Sequence, residues 1–366
     1  MTKSTFLILI IIFASLSNII GVSAANANEK NINNDDNGLC LFSIIICLND
    51  SFQQELEETA ADEVSISSIV DQVNSTKIVD QVNSTKLKKW VDSLSSFHTR
   101  HTKSEYIEKV AYWLKDELQS ICKEAKTYFD NFTQTDQQQG TDYHLKNIVC
   151  DKKGSADDDD DNNLIIISAH YDSTTQDSNN ITARAPGADD NASGVAAVLE
   201  LARILSSIDL KNSIQFVLFS GEEQGQWGSR NYAKHLYDNN TKIDLLINLD
   251  MIGYPPPQGS NKVAVEYDLG NRVLVNDRYS KAVAEFIKHI ALEYTNLEAI
   301  LAAIGKSDYT PFEAFGYTVI GVHDGGSELN PNYHSSSDTP DTLDIQYLTS
   351  VTKLVLATIL KLDKFS

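Results

Sequence analysis

Two glutamates stand side by side at Glu222 and Glu223, just after the apolar run 214–219 and the turn residue Gly221. Adjacent carboxylates repel unless a cation or a proton sits with them. The doublet therefore calls for a metal ion on one acid and a proton on the other. Groups of matching chemistry follow other apolar runs. His170 and Asp172 come after 164–168, and Asp250 comes after 245–249. Two loops carry the rest: Gly187-Ala188-Asp189-Asp190-Asn191 and Asn330-Pro331-Asn332-Tyr333-His334. Two histidines among several carboxylates, with no cysteine in the set, suit zinc or a similar divalent ion. These are too many ligands for one tetrahedral ion, whereas two ions bridged by one carboxylate and one water use them well. The charges agree. Two divalent cations are balanced by Asp189, Glu223, Asp250 and a hydroxide, which leaves Glu222 free to take a proton.

For these groups to meet, the runs before them must be parallel strands that share one edge, where open α/β sheets place their chemistry. Runs at 147–150, 164–168, 214–219, 245–249, 263–267 and 318–322 read as strands. Helical spacing marks 107–121, 279–294 and 345–362, and 192–205 is apolar on nearly every face. Thr102-x-x-Glu105 reads as a capping box for the first of these helices. Segments 255–261 and 295–306 show no periodicity. The alternation implies one α/β domain with a mixed, mostly parallel central sheet and helices on both faces. The histidines at 98, 101, 144, 235, 289 and 323 read as ordinary core or surface residues. The five aspartates at 157–161 read as a solvated loop.

The chain has 366 residues and a formal net charge of −21, which argues against nucleic acid and anionic membranes as partners. Lys3, an apolar stretch from residue 6, and Val22-Ser23-Ala24 read as a cleaved secretory signal over 1–24, too interrupted for a membrane span. Residues 25–88 read as a low-complexity linker or propeptide. They contain a nine-residue segment, 69–77, copied at 78–86. The folded domain is expected over 89–366. An exported chain with four cysteines permits disulfides. Cys122 closes a predicted helix and Cys150 a predicted strand, so that pairing is favoured over those with Cys40 and Cys47.

In order and spacing, His170-x-Asp172, Gly187 to Gly194, Gly221-Glu222-Glu223, Leu249-Asp250-Met251 and Asn330-Pro331-x-Tyr333-His334 resemble the M28 family of zinc aminopeptidases, over roughly residues 89–366. The resemblance implies that Asp189 bridges two zinc ions, with His170 and Asp250 on one and Glu223 and His334 on the other. It implies that Glu222 is the general base and acid, that Asp172 orients His170, and that Tyr333 steadies the tetrahedral intermediate. Where the family often has Ser-Asp-His this chain has Ser307-Asp308-Tyr309, so Asp308 is kept as a supporting residue and Tyr309 receives no role. The expected activity is release of N-terminal residues from peptides with a free N-terminus, by a secreted monomer. A one-zinc glutaminyl cyclase is the runner-up, disfavoured by Asp250 and the aspartate doublet. A catalytically dead binding module is the third reading, disfavoured by the complete ligand set.

Overall fold

The computed structural model describes residues 74–365, apart from 124, 138, 156–163, 256, 271–272 and 326–329. The predicted signal, Cys40, Cys47, the first repeat copy up to residue 73 and the aspartate run lie outside the described residues.

Eight strands form one sheet: β1 (Lys126–Asp136), β2 (Thr141–Lys152), β3 (Leu164–His170), β4 (Ser213–Phe219), β5 (Leu245–Leu249), β6 (Lys262–Tyr267), β7 (Glu298–Ala303) and β8 (Val319–His323). Their order across the sheet is β1-β2-β4-β3-β5-β8-β6-β7. The centre, β4-β3-β5-β8, is parallel, as is the β6-β7 pair. The remaining three pairings are antiparallel. The mixed, mostly parallel α/β sheet is therefore as the sequence implies.

Strand alternation splits the core into two layers. Ile165, Ile167, Phe216, Ile247 and Val265 face one side, under α1 (Ser84–Ser96), α2 (Tyr106–Cys122), α3 (Gly194–Leu205), α5 (Leu274–Tyr294) and α7 (Ile345–Phe365). Ile166, Val217, Phe219, Leu246 and Val319 face the other, under α4 (Trp227–Asp238) and the short α6 (Thr310–Glu313). Helix α7 is apolar and long enough to cross a bilayer, but most of that stretch is buried in the core. The Cys122–Cys150 disulfide joins the end of α2 to β2.

Several elements differ from the sequence reading. The packed region starts before residue 89: Val79 and Val82, in the second repeat copy, are buried in the core, and Asn83 caps α1 by accepting from Lys86 N. Its own N–H donates to the buried carboxylate of Glu200 at 2.7 Å. The capping box does not form, because the Thr102 hydroxyl donates to Asp172 at 2.9 Å and α2 begins without a side-chain cap. Edge strands β1 and β7 carry no clear apolar alternation and were not legible. In both, most positions are exposed or half-buried, so no inward-facing pattern marks them.

Candidate metal centre

The parallel strands bring their C-terminal ends to one cleft of about 570 Å³. His170 is the last residue of β3, Glu222 and Glu223 follow β4, and Asp250 follows β5. His170 Nε2 lies 3.2 Å from Asp250 Oδ1 and 3.3 Å from Asp190 Oδ1. His334 Nε2 lies 3.1 Å from Asp190 Oδ2 and 3.0 Å from Glu223 Oε2. Two triplets therefore form, His170-Asp190-Asp250 and His334-Asp190-Glu223, and the single carboxylate of Asp190 offers one oxygen to each.

The carboxylate that lies between the two imidazoles is therefore Asp190, and not Asp189 as expected. Asp189 turns away from the cleft. Its carboxylate accepts from Gly253 N at 2.9 Å and from Asn330 Nδ2 at 2.8 Å, which ties together the two loops that carry Met251 and His334. The amides of both aspartates donate to one buried residue, Asp338, at 2.9 and 3.0 Å.

The donor set suits a cation. His334 Nε2 and Glu223 Oε1 are buried and have no hydrogen-bond partner. The short contacts of His334 Nε2 with Asp190 and Glu223 are thus not aligned as hydrogen bonds. Donor atoms of His170, Asp190 and Glu223 all lie within 4.8 Å of one another. Such a knot of carboxylates is costly to bury unless positive charge joins it. The protonation equilibria point the same way. Burial pushes Glu223 up to about 8, with Asp190 adding to the shift and His334 opposing it. Against burial, Asp190 and Glu223 lift His334 to about 10. Burial raises Glu222 well above the usual carboxylate range; His170 opposes this, and Asp308, Glu223 and Asp250 reinforce it.

The acids are held by their backbones. Gly221 sits at φ +80°, where an L side chain is strained, and lets the chain turn sharply after β4. Asp172 then accepts from the N–H groups of Gly221 at 2.9 Å, Glu222 at 3.2 Å and Glu223 at 3.2 Å. Asp172 also reaches His170, which it was expected to orient: its carboxylate stands 3.6 Å from His170 Nδ1 and its carbonyl 3.2 Å from the same nitrogen. The Asp172 carboxylate thus serves both the glutamate turn and His170. Burial alone would raise it, yet His170, Thr102 and the Glu223 amide bring it below the usual range.

Tyr333 lines the cleft with its ring stacked on His334, centroids 3.7 Å apart. Its hydroxyl is held protonated by burial and by the surrounding acids, Asp190 first. Asp308 is buried, pushed up to about 7 by burial against His170, and does not line the cleft.

Four supporting residues escaped the sequence reading. Arg100 is wholly buried and donates to the carbonyls of Tyr171, Leu94, Pro186 and Gly187, pinning the loops after β3 and before Asp189. Ser307 Oγ donates to Asp250 Oδ2 at 2.6 Å, and Asn248 Nδ2 donates to Ser307 Oγ at 2.8 Å. Asn248 left a trace, as the one polar residue inside β5. Asp338 is the fourth, and it left no signal in the chain. Met251 and His334 hold left-handed backbone, at φ 52° and 50°, a conformation uncommon outside glycine.

Comparison with known proteins places this geometry in context. The sequence profile of peptidase family M28 matches residues 147–359, more than half of the chain. Leucine aminopeptidase 1 of Trichophyton equinum is 27% identical over 280 residues, covering 74% of this chain and 72% of the relative. The LapB structure of Legionella pneumophila superposes with a TM-score of 0.65 at 24% identity, over 80% of this chain and 75% of that one. A glutaminyl cyclase of Porphyromonas gingivalis has the same fold, with a TM-score of 0.63 at 20% identity over 76% of this chain and 98% of that one.

Proposed function

This chain belongs to peptidase family M28 and is a peptide hydrolase, and from that premise we propose that it is a secreted, two-zinc aminopeptidase acting as a monomer on peptides with a free N-terminus. His170 and Asp250 would hold one ion, His334 and Glu223 the other, and Asp190 would span both. Bound there, zinc supplies Lewis acidity and lowers the pKa of a water toward neutrality.

The chain's own residues do the remaining work. Glu222 faces the cleft outside both triplets. Its carboxylate accepts the proton of the attacking water and returns it to the leaving amine. The protonated hydroxyl of Tyr333 donates to the oxyanion as it develops. The acidic surplus of the cleft attracts the substrate's terminal ammonium. Ser307 and Asp172 keep Asp250 and the glutamate turn in place.

The observation that carries this reading is Asp190, one carboxylate shared between two imidazoles. Export is supported by the Cys122–Cys150 disulfide, since such bonds persist in oxidising compartments. The test is Glu222→Gln: two zinc ions per chain retained, and kcat on aminoacyl amides lowered by about 10²–10⁴-fold. A near-normal kcat removes Glu222 from the mechanism. One tightly held zinc per chain, with cyclisation of N-terminal glutamine, replaces the peptidase reading with the cyclase.

A further inference from the structure

Past Asp250 and Ser307 the cleft is lined by Glu266, Tyr309, Gly321 and His323, a lobe that the proposed chemistry does not use. A row at equivalent register positions crosses four strands here, Ser168 on β3, Asn248 on β5, Gly321 on β8 and Glu266 on β6, and the last three line the cleft. The first half of the row runs toward the metal centre, with Ser168 Oγ donating to Asn248 at 2.8 Å, Asn248 to Ser307, and Ser307 to Asp250. The other half ends in the Glu266 carboxylate. Gly321 makes room for it, because a Cβ at 321 would lie 2.7 Å from Glu266 Oε2 and 2.6 Å from a ring carbon of Tyr309.

Glu266 is set deep, its side chain 14% exposed. Its Oε2 accepts from the Tyr309 hydroxyl at 2.6 Å, and its Oε1 lies 3.3 Å from His323 Nε2. His323 Nδ1 accepts from Gly325 N at 3.0 Å, so the ring proton sits on Nε2 and points at Glu266. The Tyr309 hydroxyl and His323 Nε2 thus each face one oxygen of the carboxylate. Among the described residues no lysine or arginine lies within ion-pair distance of this carboxylate, and the lobe's lysine, Lys306, stands exposed at the rim.

On the aminopeptidase reading the side chain of the N-terminal residue needs a recess beside the metal ligands, and the lobe reached from Asp250 past Ser307 offers one. A leucine there would strip water from a charged carboxylate and return nothing. A cation restores the balance, and a guanidinium can use the free lone pair on each oxygen at once. Resting on the aminopeptidase reading, we infer that the Glu266 lobe selects peptides whose first residue is basic, arginine above lysine, with leucine disfavoured. Lys306 opposes this only weakly, since its charge lies in solvent.

The experiment is a panel of Arg, Lys, Leu, Met and Glu 7-amido-4-methylcoumarins, hydrolysed by the zinc-loaded full chain and by Glu266→Gln. The wild type is expected to favour Arg over Leu by at least about 10-fold in kcat/KM. In Glu266→Gln the Arg and Lys rates fall and the Leu rate rises, so the preference collapses or inverts. A wild type that prefers Leu, or prefers Glu through Lys306, overturns the inference and leaves the aminopeptidase standing. If no aminoacyl amide is cleaved, the aminopeptidase reading fails instead, and calorimetry of arginine against norleucine on the same protein decides the lobe. Tighter arginine binding lost in Glu266→Gln upholds it, and equal binding overturns it.

Discussion

The chain offers two acidic doublets, Asp189-Asp190 and Glu222-Glu223, and the fold uses them differently. Each is clasped by a single buried aspartate that accepts its backbone amides: Asp338 for the first, Asp172 for the second. After β4 both glutamates line the cleft. In the other loop only Asp190 does. Asp189 points back into the protein to hold Gly253 and Asn330. Two like residues in a row are therefore no guide to which of them faces the cleft. The clasp sets the backbone, and the donors around each carboxylate decide where it goes.

The sharpest way to break this contrast is to neutralise each aspartate in turn. Asp190→Asn is expected to abolish zinc retention and turnover. Asp189→Asn should keep its zinc but lose stability by about 1–3 kcal/mol, the cost of disturbing buried hydrogen bonds. Zinc content by atomic absorption, read beside thermal denaturation, separates the two. The reverse pattern would restore Asp189 as the bridge.

Removing a clasp is the next largest change. Asp172→Ala frees three amides and Thr102, and kcat should fall by about 10–100-fold, as when an outer-shell partner of a metal site is lost. If kcat is unmoved, the glutamate turn holds its shape without the clasp.

Asp244 supplies a control, a half-buried aspartate to which no amide donates among the described residues. Burial pushes its carboxyl up to about 6, with Lys242 opposing. A folded-state pKa above the unfolded one means the cost of ionisation is absent below about pH 4 and fully present above pH 6, so stability falls as pH rises between them. Asp244→Asn should raise Tm at pH 7.5, by the equivalent of ~1–3 kcal/mol, and leave it unchanged at pH 4. A gain at both pH values would assign the effect to packing instead. Asp172, clasping amides, titrates in the opposite direction.

The smallest effect is expected from Thr102→Val. It removes one donor to Asp172 while the amides remain, worth about 1 kcal/mol. A kcat loss as large as that of Asp172→Ala would mean that the threonine, not the amides, sets the carboxylate.

Legibility followed burial. The central strands were readable because both their faces are covered, which leaves runs such as Leu245–Leu249 apolar throughout. Strand β7, with half-exposed faces, gave no periodicity to read. Residues 78–86 looked like low-complexity linker, yet Val79 and Val82 are core residues, because two apolar side chains in a polar segment show no helical stripe until a partner surface exists. His323 looked like an ordinary histidine, since its Glu266 partner lies on a strand 57 residues away in sequence only if one counts along the chain, whereas β6 and β8 place the two side by side.

By itself the sequence determined the chemistry on offer. Which residue types follow which apolar runs is a local property, and it was enough to name the family, the sheet, and His170, Glu222, Glu223, Asp250 and His334 as cleft residues. Only the tertiary structure decided between Asp189 and Asp190, gave Asp172 its three amides, and set Glu266 beside Tyr309 and His323. Those outcomes depend on hydrogen-bond donors brought in from distant segments, and a side chain turns toward the donors that the fold has put within its reach.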